Sequence, residues 1–502
     1  MDDSLIIIGA GVAGLAAGCY AQMNGYKSQI FELHDLPGGL CTAWERKGYV
    51  IDGCIHYLFG TAPDQPFHQI WQELGVLEDT AIINHEELMR VIDSDGRTFH
   101  VYADPDRLEA HIKELSAADA QLAESLAEGI RQFMHFDMAI MYQKPRSLMT
   151  AADWLDFNRE VLGYAVPMAK WGQTSARELA DRFHDPLLRR AFPHIFGWAD
   201  IPVMVGMSVL AYMATGNAGF PAGGSLAFAR ALERRYLALG GTIHYGAQVE
   251  KILVEEGRAA GVRLYNDEVH HADNIISTAD GRGTIFDLLG DATIGSQFRR
   301  RYDGHLPIHS QILVALGVNR DLSDEPHWAT YLLPQPLLIA GEERQALGFK
   351  TYCFDPSLAP SGKSVVQLTL ESGYGYWQRI YGRRLYDMEQ LQVADIAIQF
   401  LEGLYPGISG QIEVKDVATP LSYERYTGNW LGSTCGWLLT DKTMMMMVRG
   451  MSKRVPGLKN FYMAGQWVEP GGSVPIVAMS GRNVIQLLCD ADGREFVSRS
   501  AL

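Results

Sequence analysis

No C-x-x-C pair occurs in this chain, and its six cysteines, Cys19, Cys41, Cys54, Cys353, Cys435 and Cys489, are scattered without metal-ligand spacing. That excludes a disulfide framework and a structural zinc site, and leaves reduced thiols as the expectation. Long apolar runs are also missing. The most apolar window, Val203 to Ala214, falls well short of the roughly 20 residues that cross a bilayer. The opening MDDSLIIIGAG is acidic and enters an apolar run at once, with neither the basic region nor the cleavage site of a signal peptide, so a cytoplasmic location is expected. Basic charge is scarce, with 43 Lys and Arg against 59 Asp and Glu, a net charge of -16. That balance argues against nucleic acid as a partner and against purely electrostatic attachment to anionic membrane. No catalytic triad, metal-ligand cluster, internal repeat or low-complexity tract is readable.

What remains is an ordinary globular composition, 47% hydrophobic and 20% charged over 502 residues, with glycine concentrated in two places. The first is SLIIIGAGVAGLAAGCYAQMNGY, which reads as strand, tight turn and helix. Gly9 permits the turn, Gly11 lets backbone approach a pyrophosphate, and Gly14 lets the helix pack on the strand, with Val12 and Ala13 opening that helix. The helix N-terminus then offers unpaired N–H groups and the positive end of its dipole to the phosphates. The next strand, KSQIFEL, ends at Glu32, where an acid can accept hydrogen bonds from a ribose diol. An acid here disfavours a 2′-phosphate and therefore NADP. A second glycine pair, Gly38 and Gly39, followed by Leu40 and an aromatic segment, departs from a plain NAD domain and suits a longer dinucleotide with a bulky far end.

The other glycine cluster lies near the C-terminus. LKNFYMAG predicts a strand ending at Gly465, QWVEPGGS a turn, and VPIVAMSGRNVIQLLCD a helix with Val474 and Pro475 in its first turn. A second helix N-terminus suits the negative charge of a reduced flavin ring. On this reading one turn holds the pyrophosphate and the other the flavin of a single FAD.

Taken together, GAGVAGLAAG, PGGL, VIDGCIHYLFG, GFPAGGSLAFARALERR, GGTIHYGAQVEKILVEEGRAAGV and FYMAGQWVEPGGSVPIVAMSGR resemble the FAD-dependent phytoene desaturase superfamily, which also contains carotenoid isomerases and retinol saturases. The resemblance implies pyrophosphate contacts at Gly9 to Gly14 and a ribose contact at Glu32. It implies an adenine contact at Val249, and flavin or ribityl contacts near Gly38, Gly39, Leu40, Gly465, Gln466 and Val474. Two positions depart from many relatives: Leu40 stands where arginine often follows the glycine pair, and Gln466 where an acid often follows the glycine. An amide can still hydrogen-bond ribityl hydroxyls.

The expected fold is α/β, a Rossmann-like FAD-binding domain of the glutathione-reductase or amine-oxidase type interleaved with an α+β substrate domain. The expected pieces are 1–61, 215–285 and 455–502 for the cofactor domain, and 62–214 with 286–454 for the substrate domain, the former of these carrying a helical insertion. TIHYGAQVEKILVEEGRAAGVRLYNDEVHHADNIIST alternates like a strand meander, and Asp104 with Pro105 marks a helix start.

The insertions are rich in Met and aromatics: Phe133, Met134, Phe136, Met138, Met141 and Tyr142, then Met204, Met207, Tyr212 and Met213, then Met444 to Met447. Methionine suits a tunnel for a flexible polyene, and equally serves as core packing. His56 is a candidate proton donor or acceptor near the flavin, and Arg425, in YERYTGNW, a candidate partner for a reduced flavin or a polar substrate head. The expected activity is FAD-dependent desaturation, saturation or cis–trans isomerisation of a lipophilic carotenoid- or retinoid-like isoprenoid. Two other readings stand beside it: an FAD-dependent amine or amino-acid oxidase, and a non-catalytic flavin- and lipid-binding protein. Homo-oligomerisation and peripheral membrane contact stay open.

Overall fold

The computed structural model describes residues 3–63, 65–290 and 294–498. Strand β1 (Ser4–Ile8) lies at the centre of a five-stranded, wholly parallel sheet. Its order is Thr242–His244, β2 (Lys27–Phe31), β1, Asn274–Ser277, Phe461–Met463. Parallel sheets are covered on both faces, which is why β1 is apolar without alternation. Leu5 and Ile7 enter one core while Ile6 and Ile8 enter another. The sheet draws strands from the beginning, the middle and the end of the chain, so long crossovers separate sequence neighbours.

Helix α1 (Val12–Met23) returns from β1 and is buried along Val12–Ala21, the mark of a helix enclosed by other elements. It packs between the helix Gly224–Ala238 and the C-terminal helix Val474–Ala491. The C-terminal helix comes so close that a Cβ at Gly481 would stand 2.4 Å from the Ala13 carbonyl oxygen. At Gly14 a Cβ would stand 2.0 Å from the oxygen of Gly9, so helix and turn fit only as glycine. The expected meander forms a three-stranded antiparallel sheet, Val249–Glu255, Arg258–Leu264 and Val269–His271, before the chain re-enters the parallel sheet.

A seven-stranded mixed sheet lies apart from the first. Its order is Ile412–Ala418, Gln311–Val318, Ser364–Glu371, Glu342–Thr351, Trp328–Ile339, Glu87–Ile92, Thr98–Tyr102. The last two strands come from the stretch that reads as mainly helical in sequence. ELMRVIDSDGRTFHVY is a hairpin turning at Asp93–Gly96, and its first strand pairs parallel with Trp328–Ile339. Leu347 and Phe349 turn to the face that helix Tyr386–Leu404 covers with Val393, Ala397 and Leu401. The opposite face receives the hairpin Ala43–Arg46/Tyr49–Asp52: Leu313 and Ala315 pack on Ile51, and the Gln367 side-chain amide donates 3.0 Å to the carbonyl of Asp52.

Helices fill the rest of the first insertion. Pro105–Leu115 starts as expected, with the Asp104 carboxylate accepting from the Arg107 amide, and a break separates it from Ala120–Phe133. Phe133, Phe136, Met141, Tyr142, Met207, Tyr212 and Met213 are buried together in one core, so most of the Met-aromatic clustering is packing. Met213 also reaches a cavity. Met444 to Met447 lie on Asp441–Arg449, with Met445 half exposed. Among the described residues no helix is long and apolar enough to cross a membrane.

The Gly481 contact sets a stability test. Gly481→Val should cost about 1–3 kcal/mol by overpacking, read as a lowered urea midpoint. Gly163→Ala, at a helical glycine with nothing within 4 Å of its Cβ position, should leave that midpoint within error or raise it.

Candidate functional site

Open parallel sheets bind ligands beyond the carboxyl ends of their strands, and the glycine-bearing loops converge there. After β1 the backbone turns through Gly9 at φ 100° and enters α1 from Gly11. After β2, Glu32 is buried, one carboxylate oxygen accepting 2.6 Å from the Ala10 amide and the other 2.9 Å from the His34 amide. Burial raises its pKa, against the pull of these backbone donors. Each oxygen retains a lone pair for a further donor. The Ala247 amide donates 2.8 Å to the Glu32 carbonyl, which sets buried Val249 two residues further along the same edge.

The second glycine pair folds onto the first turn. The Gly38 amide donates 2.9 Å to the Ala10 carbonyl, and a Cβ at Gly39 would approach the Gly11 Cα to 3.4 Å. Leu40 follows, half-buried. From the C-terminal side, Gly465 leaves the strand Phe461–Met463 and its amide donates 3.0 Å to Ser480 Oγ. A Cβ there would stand 3.2 Å from that of Ala13. Gln466 donates 3.3 Å to the Asn429 side chain, and Val474 opens the C-terminal helix after Ser473. The structure therefore brings Gly9 to Gly14, Glu32, Gly38, Gly39 and Gly465 together at the N-terminal end of α1, with Val249 along the Glu32 edge and Val474 at the head of the C-terminal helix that packs on α1.

This cradle fits FAD. A Cβ at Gly11 would meet nothing nearer than the Gly38 carbonyl oxygen at 3.8 Å, so the space in front of the helix is open to backbone approach. Two buried hydroxyls, Thr42 Oγ1 beyond the glycine pair and Ser473 Oγ at the head of the C-terminal helix, have no hydrogen-bond partner among the described residues. Buried polar atoms without partners are rare and point to a group that completes them.

Next to the cradle, Asp52 is fully enclosed and caps the helix Gly224–Ala238. Its oxygens accept from the Ser225 amide at 2.6 Å, the Ser225 hydroxyl at 2.7 Å and the Cys54 amide at 3.0 Å. The Ile55 amide donates 2.8 Å to Ser225 Oγ, so the loop that carries His56 is fixed on both sides. His56 faces a small pocket, partly open to solvent, bounded by the seven-stranded sheet and the loop after Asp52. His85, His327, Trp328, Lys350 and Tyr352 share that lining. The His56 ring stands 6.0 Å from that of Trp328, and the rings of His85 and His327 stack at 3.8 Å.

Desolvation in the cavity lowers half-buried His85 to about 4 and half-buried His327 to about 3, so both are neutral. His56 shifts in the same direction, with Lys350 adding to the effect, while its side chain stays exposed at the cavity. Arg425 is not among them: it is exposed on Pro420–Thr427, its guanidinium 5.4 Å from the ring of Tyr426. Asp52, His85, His327, Lys350 and Tyr352 were not legible as site residues. Lys350 sits in an alternating strand whose polar face reads as solvent-facing, and nothing local says that a hairpin and two loops enclose it. Among the described residues no group of acids, histidines and cysteines could hold a metal ion.

The family model described as flavin containing amine oxidoreductase matches residues 12–488. The prolycopene isomerase of Daucus carota chloroplasts is 26% identical over 95% of this chain and 78% of its own length. The lycopene-forming phytoene desaturase of Pseudescherichia vulneris is 24% identical over 97% of this chain and 99% of its own. Among solved structures, an oxidoreductase from Methanosarcina mazei is similar at a TM-score of 0.61 and 18% identity, covering 96% of this chain and 100% of that one.

The histidine pair predicts a pH dependence. The unfolded His85 ring takes a proton below its ordinary 6.5 while the folded ring resists down to about 4. Its contribution is therefore complete above the unfolded value and lost as pH falls through that window. The thermal midpoint of His85→Phe should decline less than that of the parent across it.

Proposed function

The chain belongs to the family of flavin-containing amine oxidoreductases, and from that premise we propose that this FAD-dependent oxidoreductase acts on a lipophilic conjugated isoprenoid or a similar alkene. The reaction is desaturation, saturation or cis–trans isomerisation of a carbon–carbon double bond. Relatives of that kind align with nearly the whole chain, including both insertions. The observation that carries the reading is the chemistry of the cavity. Its lining combines Ile55, Leu88, Met213, Phe220 and Phe354 with three histidines and one lysine, and includes no carboxylate. An ammonium substrate would find no carboxylate in that lining to offset its desolvation, whereas a neutral alkene loses nothing by burial there. That disfavours the amine-oxidase alternative.

FAD, when bound, supplies hydride acceptance and donation at its N5. The residues of this chain bind, orient and exclude water. On our assignment the α1 N-terminus and Gly9 to Gly14 hold the pyrophosphate, Glu32 the ribose and Val249 the adenine. Gly38, Gly39, Leu40, Gly465, Gln466 and Val474 hold the flavin and ribityl end. His56, its pKa lowered by desolvation, can accept a proton at an imidazole nitrogen facing the cavity. Arg425, exposed on its helix, meets a substrate head only if that head extends outside the cavity. The helices Ala151–Gly163 and Ala165–Gly172 expose Leu155 (65%), Leu162 (70%) and Val166 (80%), a surface that supports peripheral contact with the bilayer in which such substrates reside.

The visible spectrum of the purified protein, followed by mass spectrometry of what heat and organic solvent release, tests this reading. A flavin spectrum, released FAD and a released or added polyene that gains, loses or rearranges across two hydrogens support it. Turnover of amines with peroxide formation, and none of polyenes, would overturn it. Gly11→Trp should fold normally, since the space at its Cβ is open, yet purify colourless.

A further inference from the structure

Lys350 is the one lysine of the cavity lining, and its surroundings leave its amine without a polar partner. Its Nζ stands 3.8 Å from the ring centroid of Trp328, the residue directly opposite in the strand pair. Among the described residues it forms no ion pair and donates no hydrogen bond. The nearby carboxylate, Asp52, is already engaged by Ser225 and Cys54. Two residues along, on the same side of the chain, the buried Tyr352 hydroxyl also has no hydrogen-bond partner. The cavity thus holds two unmatched donors in an otherwise apolar and aromatic wall, with three neutral imidazoles beside them.

Such an arrangement is costly in a hydrocarbon site. A half-buried amine without a hydrogen-bond partner is costly, and desolvation pulls the Lys350 pKa well below its ordinary value against the attraction of Asp52. A site shaped only for hydrocarbon would be served by Met and Phe at these positions. Unpaired donors become favourable when a ligand brings an acceptor. Sites built this way reject analogues that lack it, because the donors are then stranded.

We propose that Lys350 and Tyr352 form the recognition point for a carbonyl or carboxylate oxygen at one end of an otherwise apolar, conjugated ligand. The substrate class is then an oxygenated polyene rather than a bare hydrocarbon. This rests on the reading of the cavity as the lipophilic substrate site. Lys350 acts here as a specificity residue, with the Trp328 ring placing its amine from one side.

The test is a fluorescence titration of the flavin-loaded protein with two probes: cis-parinaric acid, a conjugated tetraene carrying a carboxylate, and diphenylhexatriene, a conjugated hydrocarbon. Lys350→Met should weaken cis-parinaric acid at least tenfold while leaving diphenylhexatriene within twofold. Tyr352→Phe should weaken the acid several-fold with the same selectivity. Flavin content should be unchanged, and the ligand-free thermal midpoint of Lys350→Met should equal or exceed the parent's, because an unpartnered half-buried amine has been removed. If both variants bind the acid as the parent does, the recognition point is overturned while the lipophilic site stands. If the parent binds neither probe, both readings fall. Loss of flavin from a folded Lys350→Met protein would assign the amine to the cofactor and overturn the proposal.

Discussion

The first turn of α1 is the point on which the rest of the molecule converges. No side chain caps its first amides, yet the helix they head is enclosed along nearly its whole length. The solution is close packing by backbone. Gly481 of the C-terminal helix sits against the Ala13 carbonyl, Gly465 beside the Ala13 methyl, and Gly39 over the Gly11 Cα. Loops from both ends of the chain are drawn to one helix end, and a ligand with two separated polar groups can be gripped from both sides. The two insertions follow from the same constraint, since a sheet closed at its carboxyl edge by such loops leaves its substrate chemistry to be supplied from elsewhere in the chain.

The pocket beside His56 is organised around one carboxylate. Asp52 caps Gly224–Ala238 through Ser225 and also accepts from the Cys54 amide, which with the Ile55–Ser225 bond fixes the Cys54–His56 segment beside the seven-stranded sheet. Asp52 attracts Lys350 without hydrogen-bonding to it, so desolvation dominates and pulls the Lys350 pKa down, as it does those of His85 and His327. The wall is therefore apolar toward hydrocarbon, inhospitable to ammonium and open to oxygen acceptors. One enclosed carboxylate thus sets both the loop geometry and the electrostatics of its neighbourhood.

Much of the cofactor side was legible because its signals are local. Gly9, Gly11 and Gly14 answer to a turn and a helix contact within a few residues, Glu32 to the end of the next strand, and Pro475 to a first helical turn. The hairpin Glu87–Tyr102 was obscured by the helical stretches after it, and its turn, DSDG, carries little weight without the partner strand Trp328–Ile339. The Met and aromatic clusters carried the period of a helix face and could not say whether that face met a ligand or a neighbour; most meet neighbours. Lys350 looked like one more polar residue of an alternating strand.

By itself, then, the sequence determined the α/β class, the two glycine turns and the dinucleotide they imply, because each depends on backbone conformation or helix polarity within a short span of chain. Tertiary structure decided which side chains share a cavity. Lys350, Tyr352, His56, His85 and His327 come from three distant segments, and whether an alternating strand turns its polar face to water or to an enclosed pocket depends on what packs over it. Here that was settled by a hairpin more than 250 residues away and by a carboxylate committed to a helix cap, and no local pattern encodes either.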